Sequence, residues 1–306
     1  MKILKLISKI FAKVICAILI LFLMVFTLGN TLKYPFYLEY YKIEDTVCRN
    51  PGLNDNFVPQ GLAVTNDVIL TSGYMSDDNI SRIYIINNGN VNYKEVYVNG
   101  KASRHHLGGI AISGDNVYLC AGTKLYSTTI DVLLSDDEVV YFTDGYSLLN
   151  TPSYTFADDN YLYVGEYNDG SKYVSDNMIE DETGTYYAIC TKYALTDLTT
   201  PLQVYALPNH VQGFCVTNEG KIVLSISHGF TSSEYQVYTE GLATSTYKDI
   251  PLVVLSSYDY VIKGPAMSED LSYYEGKVYT LTEAACNKYF LGKIFFANKI
   301  NSLDIK

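Results

Sequence analysis

The sequence predicts an all-β domain that follows a single membrane-spanning helix, and three observations support this fold class. The 306 residues include 30 Tyr and no Trp, and this usage, with abundant Val, Ile and Thr, is typical of strands joined by turns. An uncharged apolar segment lies near the N-terminus, and a pattern of strand, turn and strand recurs along the rest of the chain. With 48% hydrophobic residues, a chain of this length can bury a large β-sheet core.

The apolar segment covers residues 14–29 and contains no charged residue. It reaches membrane-spanning length if residues 10–12 join it and Lys13 extends its ammonium to the interface. A cleaved signal peptide is the alternative, but residues 27–32 contain no clean Ala-x-Ala cleavage site. Because every charged residue before position 31 is a lysine, we predict a single-pass cell-membrane protein with a cytoplasmic N-terminus and an extracytoplasmic C-terminal domain.

The charge and the cysteines exclude several function classes. The net charge is −11, and no run of Lys and Arg occurs after the first 13 residues, so we expect no nucleic-acid partner. The six cysteines show no Cys-x-x-Cys spacing, which gives no indication of zinc. The sequence also lacks Gly-x-Ser-x-Gly, P-loop and His-Glu-x-x-His motifs.

Five segments share one hairpin pattern, in which a short strand opening on a small or polar residue reaches a turn and a more apolar strand returns. They are residues 59–74, 107–122, 152–166, 211–227 and 267–283. Third and fourth strand-like runs follow most of them; in the fourth repeat we assign residues 252–255 to the fourth strand. Four strands in each repeat of roughly 45–60 residues are typical of a β-propeller.

We predict five blades, with six as the alternative if a degenerate unit hides within residues 165–210 or 228–262; a β-sandwich fits the shared pattern less well. The last repeat runs out near residues 293–297, and residues 37–42 are expected to supply its missing outer strand. The predicted domains are a cytoplasmic lysine-rich start with a transmembrane signal anchor (1–30), a juxtamembrane segment with the ring-closing strand (31–50) and the β-propeller domain (51–306).

Propeller geometry brings equivalent positions of the repeats together at one mouth of the central channel. A first ring opens the innermost strands and consists of Gln60, Gly108, Ser153, Gln212 and Glu269. A second ring follows the second strands and consists of Gly73, Gly122, Glu166, Ser227 and Glu283, with Tyr74, Tyr167 and His228 just beyond. The other three histidines, His105, His106 and His210, precede residues of the first ring, so all four fall on one face.

This mouth is the predicted ligand-binding site, for a small molecule, a polymer or a protein. Its carboxylates, Glu166, Glu269 and Glu283, also suggest Ca²⁺ or another divalent cation, because carboxylates with nearby imidazoles bind such ions. The competing interpretation is that polar residues occupy these positions only because a narrow channel is wet. The acidic insertion at residues 167–184 either covers the mouth, binds Ca²⁺ or is a solvated loop.

Residues 60–64, Gln-Gly-Leu-Ala-Val, and 108–112, Gly-Gly-Ile-Ala-Ile, loosely resemble the SMP-30/gluconolactonase-like propeller families over about residues 55–290. The resemblance implies a metal-dependent lactonase or hydrolase with a metal in the channel. This chain has Gln60 where those enzymes carry a metal-binding Glu, and it has no matching Asn-Gly pair. The leading hypothesis is therefore a membrane-anchored ligand-binding or interaction module, with the hydrolase as the alternative.

Overall fold

The computed structural model describes residues 2–295 and 297–306, beginning with helix α1 (Lys2–Phe36). Residues Lys5–Val25 of this helix are predominantly apolar, with Lys5, Lys9 and Lys13 as their charged residues, and none of this stretch is buried against the rest of the protein. At 1.5 Å per residue its 21 residues extend about 30 Å, the thickness of a hydrocarbon core. The chain therefore has one N-terminal helix long and apolar enough to cross a membrane, a property it shares with signal sequences.

Most of the remaining described residues form strands that pair into four-stranded antiparallel units, which we number 1 to 5. Unit 1 contains β2 (Phe57–Val64), β3 (Val68–Met75), β4 (Arg82–Asn87) and β5 (Asn90–Val98), and β6 (Lys101–Ala102) pairs with β5. Unit 2 contains β7 (Ile110–Ser113), β8 (Asn116–Ala121), β9 (Lys124–Thr129) and β10 (Val139–Tyr146), with helix α3 (Ile130–Leu134) before β10. Unit 3 contains β11 (Tyr154–Ala157), β12 (Tyr161–Gly165), β15 (Ala188–Ala194) and β16 (Asp197–Leu207), and a hairpin of β13 (Ile179–Asp181) and β14 (Gly184–Tyr186) is inserted after β12.

Unit 4 contains β17 (Val211–Val216), β18 (Lys221–Ile226), β19 (Ser233–Thr239) and β22 (Tyr260–Gly264). Unit 5 contains β23 (Ser268–Tyr274), β24 (Lys277–Thr282), β25 (Lys299–Leu303) and, from the start of the chain, β1 (Glu44–Arg49). The innermost strands β2, β7, β11, β17 and β23 contact one another in a closed ring. A β-propeller is therefore confirmed; the number of blades stays a prediction, and the strand order favours five.

The assignment of residues 252–255 to the fourth repeat is wrong. Strand β21 (Ile250–Val254) follows β20 (Ser245–Tyr247) in a hairpin and pairs parallel to β16, at the edge of unit 3. Leu252 packs there with Ile189 and Val204 in one apolar cluster. The hairpin is therefore held by burial against its neighbour, and β22 supplies the outer strand of unit 4.

The prediction that residues 37–42 form the ring-closing strand is also wrong. These residues belong largely to helix α2 (Leu38–Ile43), and β1 is the strand that completes unit 5. Tyr37, Tyr40 and Tyr41 recur at helical spacing, and Tyr40 is 1% exposed with its ring stacked 5.8 Å from that of Tyr235. A helix puts these three rings on one face, which an extended strand would not do.

The last repeat does not end near residues 293–297. A 3₁₀ helix, η1 (Asn287–Phe295), occupies most of that stretch, Phe296 lies outside the described residues, and β25 follows as the third strand of unit 5. Unit 5 thus joins both ends of the propeller, since β25 pairs with β24 on one side and with β1 on the other.

Candidate functional site

The innermost strands shift register where they reach the predicted mouth. The irregularities lie between Pro59 and Gly61 in β2, between Val211 and Gly213 in β17, and across Glu269 and Asp270 in β23. An extra residue at such a bulge is unpaired in the ladder and its side chain is re-aimed. Gln60, Gln212 and Glu269, all members of the first ring, occupy these positions. The Gln-Gly pairs of the sequence are the signal for two of the bulges, although the repeat alone does not identify them.

The centre of the mouth is a pair of buried carboxyl groups, Glu269 on β23 and Glu283 just after β24, which are 4% and 8% exposed. The two side chains are hydrogen-bonded to each other, and Gln60 Nε2 donates to Glu283 Oε2 at 2.9 Å. Burial, and then the adjacent carboxyl, raise the pKa of Glu269 well above its ordinary value. Burial raises the pKa of Glu283 to about 7, although the charge of Lys288 opposes the rise. The surroundings of the pair therefore favour the protonated form of both carboxyl groups.

Two phenols connect this pair to the surface. Tyr289 interacts with Glu283 and with Tyr74, and the Lys288 ammonium donates to the Tyr74 hydroxyl. The same ammonium lies 4.8 Å from the ring centre of Tyr74 and 5.2 Å from that of Tyr289. Lys288 and Tyr289 lie in η1. This segment has no counterpart in the other repeats, so the alignment of the repeats could not identify them.

Aromatic rings continue around the mouth from Tyr74. His106 stacks on Tyr74, with ring centres 4.4 Å apart and planes within 11°. Tyr173, from the insertion, lies 6.4 Å from His106 and 5.7 Å from Tyr167. The insertion therefore contributes to the rim. Tyr173 is a rim residue that the repeat pattern does not indicate, because the insertion has no counterpart in the other repeats.

The series ends in two more imidazoles. The ring centre of His210 lies 6.3 Å from that of Tyr167 and 4.3 Å from that of His228. Burial lowers the pKa of His210, and that of His106 as well, so both rings favour the neutral form. His105 lies apart from this series, with its ring against Gly122. The structure thus brings three of the four histidines into one aromatic rim.

Glu166 has a different role from the other two glutamates. Its carboxylate accepts hydrogen bonds from Ser175 Oγ at 2.6 Å, from Asn177 Nδ2 at 3.0 Å and from the Ile189 backbone N–H at 3.0 Å. Burial raises its pKa, while these donors act in the opposite direction. Glu166 therefore fixes the insertion to unit 3, and its oxygens already have protein partners.

The remaining members of the first ring contribute mainly backbone. Ser153 donates its N–H to the Gly165 carbonyl at 2.8 Å, and a Cβ at Gly108 would lie 2.1 Å from the Ser153 carbonyl oxygen. This crowding explains the glycine at the second repeat. Ser153 and Gln212 are both half-buried.

No group of three or more His, Cys, Asp or Glu side chains within residues 2–295 and 297–306 has an arrangement suited to a metal ion. Glu269 and Glu283 are the predicted ligands that lie together, whereas Glu166 is bonded to its own insertion. The available ligand set is thus two carboxyl groups that share a hydrogen bond, and this set fits a retained proton better than a divalent cation.

A third buried carboxyl group lies deeper in the channel than the pair at the mouth. Asp270 is fully buried there and accepts the backbone N–H of Leu62 at 3.3 Å and that of Leu271 at 3.0 Å. A separate cavity of about 510 Å³ lies at the opposite end, lined by the hairpin turns of the five innermost strands.

No family model matches the sequence, and no curated protein matches it. Among solved structures, the chain is similar to the PQQ-bound aldose sugar dehydrogenase of Streptomyces coelicolor (15% identity, 78% of each chain, TM-score 0.46). It is also similar to the glutaminyl cyclase of Myxococcus xanthus (9% identity, 85% of this chain and 95% of that one, TM-score 0.49) and to the GH43_1 enzyme of Xanthomonas citri (12% identity, 77% and 84%, TM-score 0.47).

At such identities the likeness concerns the fold alone. The loose resemblance to SMP-30/gluconolactonase-like proteins holds at this level, as a β-propeller. The class is therefore a β-propeller with an N-terminal apolar helix, and activity has to be argued from the mouth.

Proposed function

We propose that this chain is a membrane-anchored binding module, with its propeller outside the cytoplasmic membrane and its ligand held at the mouth. The observation that carries the proposal is the hydrogen-bonded pair Glu269–Glu283, buried beneath an aromatic rim. A carboxyl pair in such a place costs stability, and costs of this kind concentrate at functional sites. α1 supports the anchor, and the lysines before its apolar stretch support a cytoplasmic N-terminus.

The chemistry of the mouth indicates the kind of ligand. The pair offers a shared proton and a partial negative charge, and the phenols and imidazoles offer further hydrogen bonds together with apolar ring faces. This combination suits a small polar organic molecule with both hydrogen-bond donors and an apolar face. A polymer or a protein would fit the same mouth if its end carried a group with both hydrogen-bond donors and an apolar face.

Thermal unfolding of the full chain in detergent tests the proposal, with a diamine, a neutral monosaccharide and Ca²⁺ as separate probes. We expect an organic probe to raise the Tm of the wild-type chain, because a ligand that binds only the folded state stabilises it. The rise should disappear in Glu283→Gln and persist in Glu219→Gln, an exposed turn residue at the opposite end of the propeller. If no organic probe raises the Tm of the wild-type chain by more than it raises the Tm of Glu283→Gln, the proposal is contradicted.

The alternative is a metal-dependent hydrolase that uses the same pair. What favours it is the unequal effect of burial on the two pKa values: that of Glu269 is raised well above its ordinary value, whereas that of Glu283 is raised to about 7. Unequal pKa values suit separate acid and base roles. Elemental analysis of the purified full chain distinguishes it from the binding module. One divalent ion per chain, lost in Glu269→Gln, would favour the hydrolase, and metal-free protein would count against it.

A further inference from the structure

The anchor helix joins the propeller at the same face as the mouth. After α1 ends at Phe36, the Tyr37 hydroxyl lies 3.0 Å from Ser232 Oγ. Ser232 belongs to the loop between β18 and β19, which leaves β18 at the mouth and contains His228. α1 also contacts η1, the segment that carries Lys288 and Tyr289. The chain thus arrives from the membrane beside the rim.

The distance between the rim and the bilayer is short. The apolar stretch of α1 ends at Val25, and the helix continues to Phe36. At 1.5 Å per residue these further turns extend about 16 Å. The polar headgroup region outside the hydrocarbon core accounts for several ångströms of that distance. Side chains that project from the mouth face are therefore within reach of lipid.

Two large apolar side chains project from the loops of this face. Phe230, two residues before Ser232, is 53% exposed, and its ring lies 6.3 Å from that of Tyr289. Val174 is 67% exposed, between Tyr173 of the rim and Ser175, which is bonded to Glu166. Both are thus held outward by ordered neighbours. Exposed apolar groups of this kind on a surface beside an anchor are typical of contact with a membrane interface.

We propose that the mouth face docks on the lipid bilayer, with Phe230 and Val174 inserted among the headgroups. The occupant is the lipid surface itself. The inserted segment at residues 167–184 also carries Asp169, Asp176 and Glu180, which anionic lipid would repel. The contact is therefore provided by burial of apolar side chains in the headgroup region, and a zwitterionic bilayer is sufficient. A ligand of the mouth then reaches it along the membrane surface. The inference rests on the anchor and on these loops, independently of the proposed ligand.

The absence of Trp from the chain makes a direct test possible. One tryptophan is introduced at a time, as Phe230→Trp, Val174→Trp or Asn218→Trp, into the full chain in zwitterionic vesicles. Asn218 is the matched control, because it lies in the exposed turn before β18 whereas Phe230 follows β18. The six residues of this strand separate the two ends by about 20 Å. Brominated acyl chains quench a tryptophan only near contact.

We expect brominated lipid to quench Phe230→Trp and Val174→Trp at least twice as strongly as Asn218→Trp, with a blue-shifted emission for the first two. Equal quenching at all three positions, or stronger quenching at Asn218→Trp, would overturn the proposal. Because no ligand is present in this experiment, its failure leaves the binding proposal standing, and failure of the binding assay leaves this one standing.

Discussion

Glu269 and Glu283 lie where water is largely excluded, and a carboxyl group in such a place is stable only if it keeps its proton or gains donors. Both conditions are met. The pair shares a hydrogen bond, Gln60 donates to Glu283, Tyr289 interacts with the same carboxyl group, and Lys288 adds a positive charge nearby. The favourable partners surround Glu283, which explains why burial affects the two members unequally.

The stability of the protein should therefore fall as the pH rises through neutrality. In the unfolded chain both glutamates lose their protons near pH 4.5, whereas in the folded chain the pKa of Glu283 is about 7 and that of Glu269 is raised well above its ordinary value. Their contribution is complete below pH 4.5 and is lost as the pH rises through the folded pKa. Glu283 alone should lower the free energy of unfolding by about 3 kcal/mol between pH 5 and 8, and Glu269 should add to this fall, measured by urea denaturation.

The double variant Glu269→Gln/Glu283→Gln should flatten this dependence, because neither side chain then titrates. Glu219→Gln, which changes an exposed glutamate, should retain the wild-type slope. A wild-type chain that is equally stable at pH 5 and pH 8 would show that the pair is not buried as the structure has it.

The sequence could predict the site only where the repeat extends. Alignment of the hairpins predicted that Gln60, Glu269 and Glu283 share one mouth, because their positions follow from strand pairing. It could not predict the partners of Glu166, since Ser175 and Asn177 come from an insertion with no counterpart in the other repeats. The 3₁₀ helix η1 supplies Lys288 and Tyr289 to the surroundings of Glu283 in the same way, and its geometry depends on tertiary packing and not on the repeat.

Among the elements, the innermost strands are the most tightly constrained, because they converge around the channel. A Cβ added at Gly213 would lie 2.7 Å from the Leu271 backbone nitrogen and 2.9 Å from the Asp270 carbonyl carbon. Neither contact can relax without moving a neighbouring strand. The glycine that follows the bulged Gln212 therefore determines how closely β17 and β23 approach.

Gly213→Ala should destabilise the protein by about 1–3 kcal/mol, since the extra methyl group overpacks backbone against backbone. The matched control is Gly241→Ala, where no atom lies within 4 Å of the added Cβ and the backbone is unstrained. Chemical denaturation of both variants measures the difference. If Gly213→Ala and Gly241→Ala were equally stable, the close approach of β17 to β23 would be wrong.

Helix α2 shows why a short element next to a repeat is hard to assign from sequence. Tyrosines favour strands, and that preference led to the prediction of an extended segment at residues 37–42. Tertiary contacts decide otherwise, because Tyr40 is buried against Tyr235 and accepts a hydrogen bond from Asn301 Nδ2 at 3.0 Å. Neither partner is near in sequence, so no local pattern could indicate them.

At the scale of the whole molecule, the propeller was predictable because each hairpin is local and recurs. The order of the outer strands was not, because β1 and β21 reach their places from distant parts of the chain. Ring closure is the most non-local of these pairings. It joins residues 44–49 to residues 299–303 and leaves the third strand of unit 5 without a free edge.

Removal of the closing segment should therefore destabilise the whole ring. A chain that starts at residue 50 lacks α2 and β1, so the edge of β25 and the apolar face beneath Tyr40 become exposed. We expect a lower Tm and concentration-dependent aggregation relative to a chain that starts at residue 37, measured by circular dichroism and light scattering. A synthetic peptide of residues 37–49 should restore the Tm, because its contacts are those of the intact chain. An unchanged Tm in the shorter chain would show that unit 5 is stable with three strands.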